Sequence, residues 1–188
     1  MEYIDVIDEK GNYRNQKVTR KKAHQLGLYH RASHIWIFRR KKGKMQVLLQ
    51  QRSAKSEVFP SCLDISSAGH VRAGESYEDA AVRELKEELG LDVNFDDLKS
   101  VGYRKIVWDG ISHGLSYHDR HISKIFLLFK DVNEKTLHLD KNEVVFVKWM
   151  DWKEYVEGVR HNTIVHDIQI EELDMLENLL KQRATSLG

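Results

Sequence analysis

The sequence has one cysteine, one proline, no excess of either charge and no long apolar run. Each scarcity excludes something. Cys62 alone can form neither an internal disulfide nor a CxxC metal site, and it fits a reducing compartment, where it is expected to be a small buried hydrophobe. No apolar stretch approaches the roughly 18 residues needed to cross a bilayer. Thirty basic side chains against 29 acidic ones leave a formal charge of +1, with no electrostatic footprint for a nucleic-acid polymer. Met1-Glu2-Tyr3 opens no basic-then-apolar leader. The expectation is a soluble, cytoplasmic protein with neither membrane nor nucleic acid among its partners. At 188 residues and 41% hydrophobic composition, one domain over 1–188 with a sizeable core is expected.

What is present reads as strands around one central helix. Residues 2–8 alternate as a short strand, followed by a turn at Glu9-Lys10-Gly11-Asn12. Residues 19–27 offer a helical turn. Ile35, Trp36, Ile37 and Phe38 mark a buried strand over 30–39, and 45–50 runs back as the second arm of a hairpin. A charged loop over 52–59 ends at Pro60, and 63–70 is a strand. Ser76 caps a helix that Gly90 ends. Strands follow over 98–108 and 122–130, separated by a polar loop over 109–121, then a strand over 143–150. Asp151 caps a short helix, and 163–181 reads as a closing amphipathic helix. Residues 184–188 are expected to fray. The order gives an α/β fold, a mixed sheet sandwiched by helices, with its core over about 28–158.

The most informative stretch is Gly69 to Leu91. A helix turns about 100° per residue, so Glu84, Glu87 and Glu88 share one face, while Ala81, Val82, Leu85 and Leu89 share another. Carboxylates so close repel one another, and a hard divalent cation would relieve them. A solvated acidic helix face is the plainer reading of such a pair. Gly69, five residues, Glu75, seven residues and then Arg83-Glu84-Leu85-Lys86-Glu87-Glu88-Leu89-Gly90-Leu91 resembles the complete Nudix box, with no position missing over 23 residues.

The resemblance implies an α/β/α sandwich and a metal-dependent hydrolase. The substrate would be a small-molecule diphosphate, nucleotide or isoprenoid in type. The expected cofactor is magnesium, with manganese as the alternative. Glu87 and Glu88 are the leading ligands, joined by the carbonyl of Gly69. Glu84 is a third ligand or the general base. Arg83 orients the carboxylates, Glu75 stabilises the loop-helix geometry, and Glu143 is the candidate acid from beyond the box. A homodimer stays open.

His24, His30 and His70 resemble the three metal-binding histidines of isopentenyl-diphosphate isomerases, divergent relatives on the same fold. LLQQRSAKSEVFP resembles their diphosphate-gripping stretch, which makes Arg52 and Lys55 candidate phosphate ligands. The histidines would form a second metal site, and imidazole donors favour zinc or manganese over magnesium. Two departures count against isomerase chemistry. Ala68 stands where those enzymes carry a cysteine, and Asp119-Arg120-His121 stands where they carry a glutamate pair. Isomerase activity and a noncatalytic nucleotide-binding module are the alternatives. Trp108, beside Asp109-Gly110, is either a core ring or one that stacks on a base or apolar group in a pocket.

Overall fold

A computed structural model describes residues 1–185, with side chains to residue 181. At its centre lies β3, His30–Lys41. Ile35, Trp36, Ile37 and Phe38 are fully buried, the unbroken apolar run of a strand covered on both faces. β3 pairs antiparallel with β4 (Lys44–Arg52) and β6 (Ser67–His70), and parallel with β8 (Leu115–Phe129). The β3–β4 turn is Lys42-Gly43, with φ of 50° and 77°, as a tight hairpin of this hand requires. β4 also pairs with β5 (Leu63–Asp64) and β9 (Val144–Asp151), and β8 pairs with β7 (Lys99–Ser112). Among the described residues these strands form a seven-stranded mixed sheet. β1 (Tyr3–Ile7) and β2 (Tyr13–Thr19) form a separate hairpin beside it, leading into α1 (Arg20–Leu26).

Side chains alternate across β3, so the two faces bury different sets. Ile35 and Ile37 pack with Leu48, Phe126 and Leu128 beneath α2 (Tyr77–Leu89), which contributes Ala81, Leu85 and Leu89. Trp36 and Phe38 pack with Val47, Leu49, Ile125 and Leu127. They are covered by Trp152 and Tyr155 of α3 (Trp152–Arg160) and by Leu173 and Leu176 of α4 (Ile170–Thr185). The expected α/β/α sandwich is present. No helix among the described residues is long and apolar enough to cross a membrane.

Four elements differ from the sequence reading. Residues 109–121 are not a loop: β7 and β8 continue as a long hairpin to a turn at His113-Gly114, with Ser112 opposite Leu115. Their polar alternation masked a strand whose faces meet water and a cavity. Residues 13–19 form β2, whose first five residues are exposed and carry no apolar signal. Residues 63–70 break into β5 and β6. The closing helix begins at Ile170 rather than 163, because the preceding segment lies beside β5. There the Leu63 amide donates to the Val165 carbonyl at 2.9 Å and Leu63 bridges His166. Residues 186–188, part of the segment expected to fray, lie outside the described residues.

Candidate functional site

The glycine-bearing loop and α2 are tied together by one guanidinium. Arg83 donates to Glu75 at 2.8 and 2.9 Å, to Glu84 at 2.5 Å, to Glu87 at 3.0 Å and to the carbonyl of His70 at 2.9 Å. Glu75 also accepts from the Arg72 amide at 2.9 Å, so it braces the loop against the helix. Ser76 Oγ accepts from the Asp79 amide at 3.0 Å, and Gly90 closes α2 in the left-handed region. Gly69 faces Glu84 directly. A Cβ on residue 69 would lie 2.0 Å from Glu84 Oε1, so only glycine lets that carboxylate rest on the strand.

Glu84 and Glu88 are buried, Glu87 is exposed, and all three line one cavity with Gly69 and Glu143. Burial pushes the Glu84 carboxyl up to about 7. Arg83 opposes that shift, while Glu87 and Glu143 reinforce it. Glu88 is raised well above the ordinary carboxylate range by burial, with Glu84, Glu143 and Asp64 adding to it against a hydrogen bond from Ser67. Glu88 Oε2 has no hydrogen-bond partner. Glu88 thus keeps one buried oxygen without a hydrogen bond among other carboxylates, and the oxygen-rich donor set fits magnesium or manganese.

The cavity holds about 320 Å³ and its wall also carries Arg20, Arg52, Arg72 and Arg104. Arg52 donates to Asp64 at 2.8 Å. Asp64 stands beside Asp167, whose carboxyl is raised by burial and by Asp64 itself. Lys55 is exposed and is not part of the wall.

His24, His30 and His70 converge, with ring centroids 5.0 to 5.1 Å apart. Sequence reasoning missed what completes the group. Asp119 Oδ1 lies 2.7 Å from His121 Nδ1, 3.7 Å from His24 Nε2 and 3.9 Å from His30 Nε2. Asp119 and His121 had been read only as a departure from the isomerase pattern. As a strand, Tyr117, Asp119, His121 and Ser123 fall on one face, and that period of two was the available signal. The donor atoms of His24, His30 and His70 lie within 4.8 Å of one another, and so do those of His30, Asp119 and His121. Burial and the neighbouring His121 and His24 push His30 down to about 3, and burial with Arg20 lowers His70 well below its ordinary value. These rings are held neutral with lone pairs available. His30 Nδ1 is engaged by the Leu28 carbonyl at 2.9 Å, which leaves Nε2 a buried, unpartnered acceptor. His24 Nδ1 and His121 Nε2 are likewise unpartnered. Of these atoms only His30 Nε2 is turned toward Asp119, while His24 and His121 face it through Nε2 and Nδ1; imidazoles gathered around one carboxylate fit a cation.

A model of the NUDIX domain matches residues 28–169. An uncharacterised Nudix hydrolase of Clostridium acetobutylicum is 34% identical over 144 residues, covering 77% of this chain and 67% of that protein. Nudix hydrolase 3 of Arabidopsis thaliana is 31% identical over 156 residues, covering 82% of this chain but only 20% of its own length. A crystal structure of a Deinococcus radiodurans protein superposes with a TM-score of 0.67 at 21% identity, covering 92% of this chain and 98% of that one, a likeness of fold.

Proposed function

The chain belongs to the Nudix family, and from that premise we propose that it is a divalent-cation-dependent pyrophosphohydrolase. It would cleave the diphosphate linkage of a nucleotide or isoprenoid-type substrate by water attack. The observation that carries this reading is the buried Glu88 carboxylate, with Oε2 unpartnered, set among Glu84, Glu143 and Gly69 in one cavity. Glu87, Glu88 and the Gly69 carbonyl would hold the cation, with Glu84 as a further ligand or the base. A cation there would shield the diphosphate charge and stabilise the leaving phosphate.

The remaining work falls to the chain's own groups. Arg83 fixes Glu84 and Glu87 in place through charge-assisted hydrogen bonds. Arg52, itself held by Asp64, faces the cavity as a phosphate ligand. In the reaction the water oxygen forms a bond to one phosphorus while the bridging P–O bond breaks, and the leaving phosphate takes the electron pair. The water proton passes to a carboxylate, and Glu84, tuned to about 7, is suited to receive it. Glu143 alternates with it as the candidate base.

The two overlapping donor groups, His24 with His30 and His70, and His30 with Asp119 and His121, support a second cation site. Their imidazole-rich set suits manganese or zinc. Ala68 on the cavity wall offers no proton to an alkene, which weighs against isomerase activity. Release of phosphate, or of phosphomonoesters detected with a coupled phosphatase, from a metabolite panel with magnesium and then manganese tests the main reading. Glu88→Gln and Glu87→Gln should each remove most turnover of a confirmed substrate while circular dichroism stays parental. Parental rates in both variants would sink the cation assignment. Tight nucleotide binding without hydrolysis of any diphosphate would instead favour a noncatalytic module.

A further inference from the structure

The wall of the same cavity also carries an aromatic pair that the hydrolytic reading leaves without a role. Phe59 and Trp108 meet with ring centroids 4.8 Å apart at 53°. Trp108 in turn meets Tyr117 at 6.1 Å, and Tyr117 stacks on His24 at 4.3 Å. Phe59, Trp108 and Tyr117 all face the cavity, flanked by Val58 and Ile106. Neither Phe59 nor Trp108 belongs to any of the hydrophobic cores, so packing of the fold does not account for them.

Local backbone features hold them there. Phe59 has φ of 49° and Ser61 φ of 62°, on either side of Pro60. Side-chain-bearing residues rarely adopt this region, and a residue before proline is restricted further. Strain of this kind clusters at functional sites. Gly110 makes the third. A Cβ there would lie 2.0 Å from Trp108 Cη2 and 2.4 Å from Cζ2, so the indole rests on the Gly110 backbone because residue 110 has no side chain.

We propose that Phe59 and Trp108 form a shelf for the organic substituent of the diphosphate. That substituent would present a π-face, a nucleobase or an unsaturated prenyl chain, in preference to a bare hydroxylated sugar. This inference rests on the diphosphatase reading for its orientation: carboxylates grip one end and the shelf receives the other. Stacking of this kind is tolerant of which base or chain it meets.

Three probes separate the outcomes: a nucleoside diphosphate sugar, dimethylallyl diphosphate, and 5-phosphoribosyl diphosphate, which has no π-face. Trp108→Ala and Phe59→Ala should each lower the kcat/KM ratio of a π-faced probe over the phosphoribosyl probe by about tenfold or more, chiefly through KM. Trp108→Phe should restore most of that ratio. Gly110→Ala should reproduce the Trp108→Ala loss with Trp108 still present. The preferred π-faced probe identifies the source, base or prenyl. Unchanged ratios, or a parental preference for the phosphoribosyl probe, would overturn the shelf. If the parental protein hydrolyses none of the three, the diphosphatase reading fails on its own. The shelf is then decided by binding, read as quenching of the tryptophan fluorescence that Trp108→Phe removes. Quenching by either π-faced probe and not by the control upholds it; quenching by neither, or equally by the control, rejects it.

Discussion

Gly69 and Glu84 act as one unit. Gly69→Ala would place a methyl group 2.0 Å from the Glu84 carboxylate and drive it off the strand. Misplacement of about 1 Å near reacting groups costs on the order of a hundredfold. Gly69→Ala should therefore lose about that much kcat/KM in steady-state assays while keeping its circular dichroism spectrum. Glu84 also sets a pH dependence. Its carboxyl lies at about 7 in the fold against a reference of 4.5, so the folded state holds the extra proton between those values. Stability of the cation-free protein should fall as pH rises through that window. Thermal melts in EDTA should show a lower Tm at pH 8 than at pH 5, added magnesium should restore the loss, and Glu84→Gln should flatten the difference. At this scale the sequence was most legible where candidate ligands are local: Glu84, Glu87 and Glu88 sit on one helix, and their spacing alone brings them together. Asp119 and His121 meet His24 and His30 only through strand pairing, which no local spacing records. The resemblance that groups Lys55 with Arg52 carries no signal of orientation: Arg52 lines the cavity and Lys55 is exposed outside it.

The tie between α4 and the sheet is the clearest case of one element holding another. Glu172, buried near the start of α4, accepts from Trp36 Nε1 at 2.8 Å and from Arg104 at 3.0 Å, and lies 3.1 Å from His34. Burial would raise its carboxyl, but His34, Trp36 and Arg104 bring it down to about 2. Burial would lower His34, and the Glu172 carboxylate overrides that and raises it. The stabilisation from Glu172 is complete above its reference of 4.5 and lost as pH falls toward 2. That from His34 is complete below 6.5 and lost as pH rises through its raised value. Glu172→Gln should destabilise the protein by about 3–5 kcal/mol, since it leaves buried cations unpaired. Urea melts should show the largest difference near pH 5 to 6 and convergence toward pH 2. Element types were legible wherever apolar periodicity was strong, as in β3, β4 and α2. The β7–β8 hairpin was not, because Tyr117, Asp119 and His121 alternate with His118 and Arg120 in a wholly polar pattern. The start of α4 was displaced because His166 and Asp167 sit along β5 instead of on a helix.

Across the whole molecule, the amino-terminal hairpin belongs with the glycine-bearing loop even though the family match begins at residue 28. Ile4, Val6, Val18 and Ala23 form a small core of their own. The Ala73 amide donates to the Tyr3 carbonyl at 2.8 Å, and the Gly74 amide to Asp5 at 2.7 Å. Glu2, Arg20 and Arg72 join the cavity wall. We propose that residues 1–188 act as a single domain. A protein beginning at Leu28 should retain the sheet by circular dichroism but lose most kcat/KM and all tight binding at the histidine cluster, measured by metal analysis after dialysis. The sandwich itself was legible from the order of strands and helices. The bracing of the box by the first strand was not, since it depends on backbone groups that carry no side-chain signature.

The parallel pairing of β3 with β8 sets His30 beside His121, residues far apart along the chain. Strands have a side-chain period of two, so a slip of one residue would turn Asp119 and His121 to the opposite face. The histidines would then face one another without a carboxylate. Such pairing forms late in folding, when the chain is exposed to misalignment. A cation captured by His30, Asp119 and His121 would therefore act as a register check, stabilising the correctly aligned strands and no other alignment. Refolding with manganese present should recover more native protein than refolding in chelator, with the cation serving the assembly of the molecule before it serves any reaction.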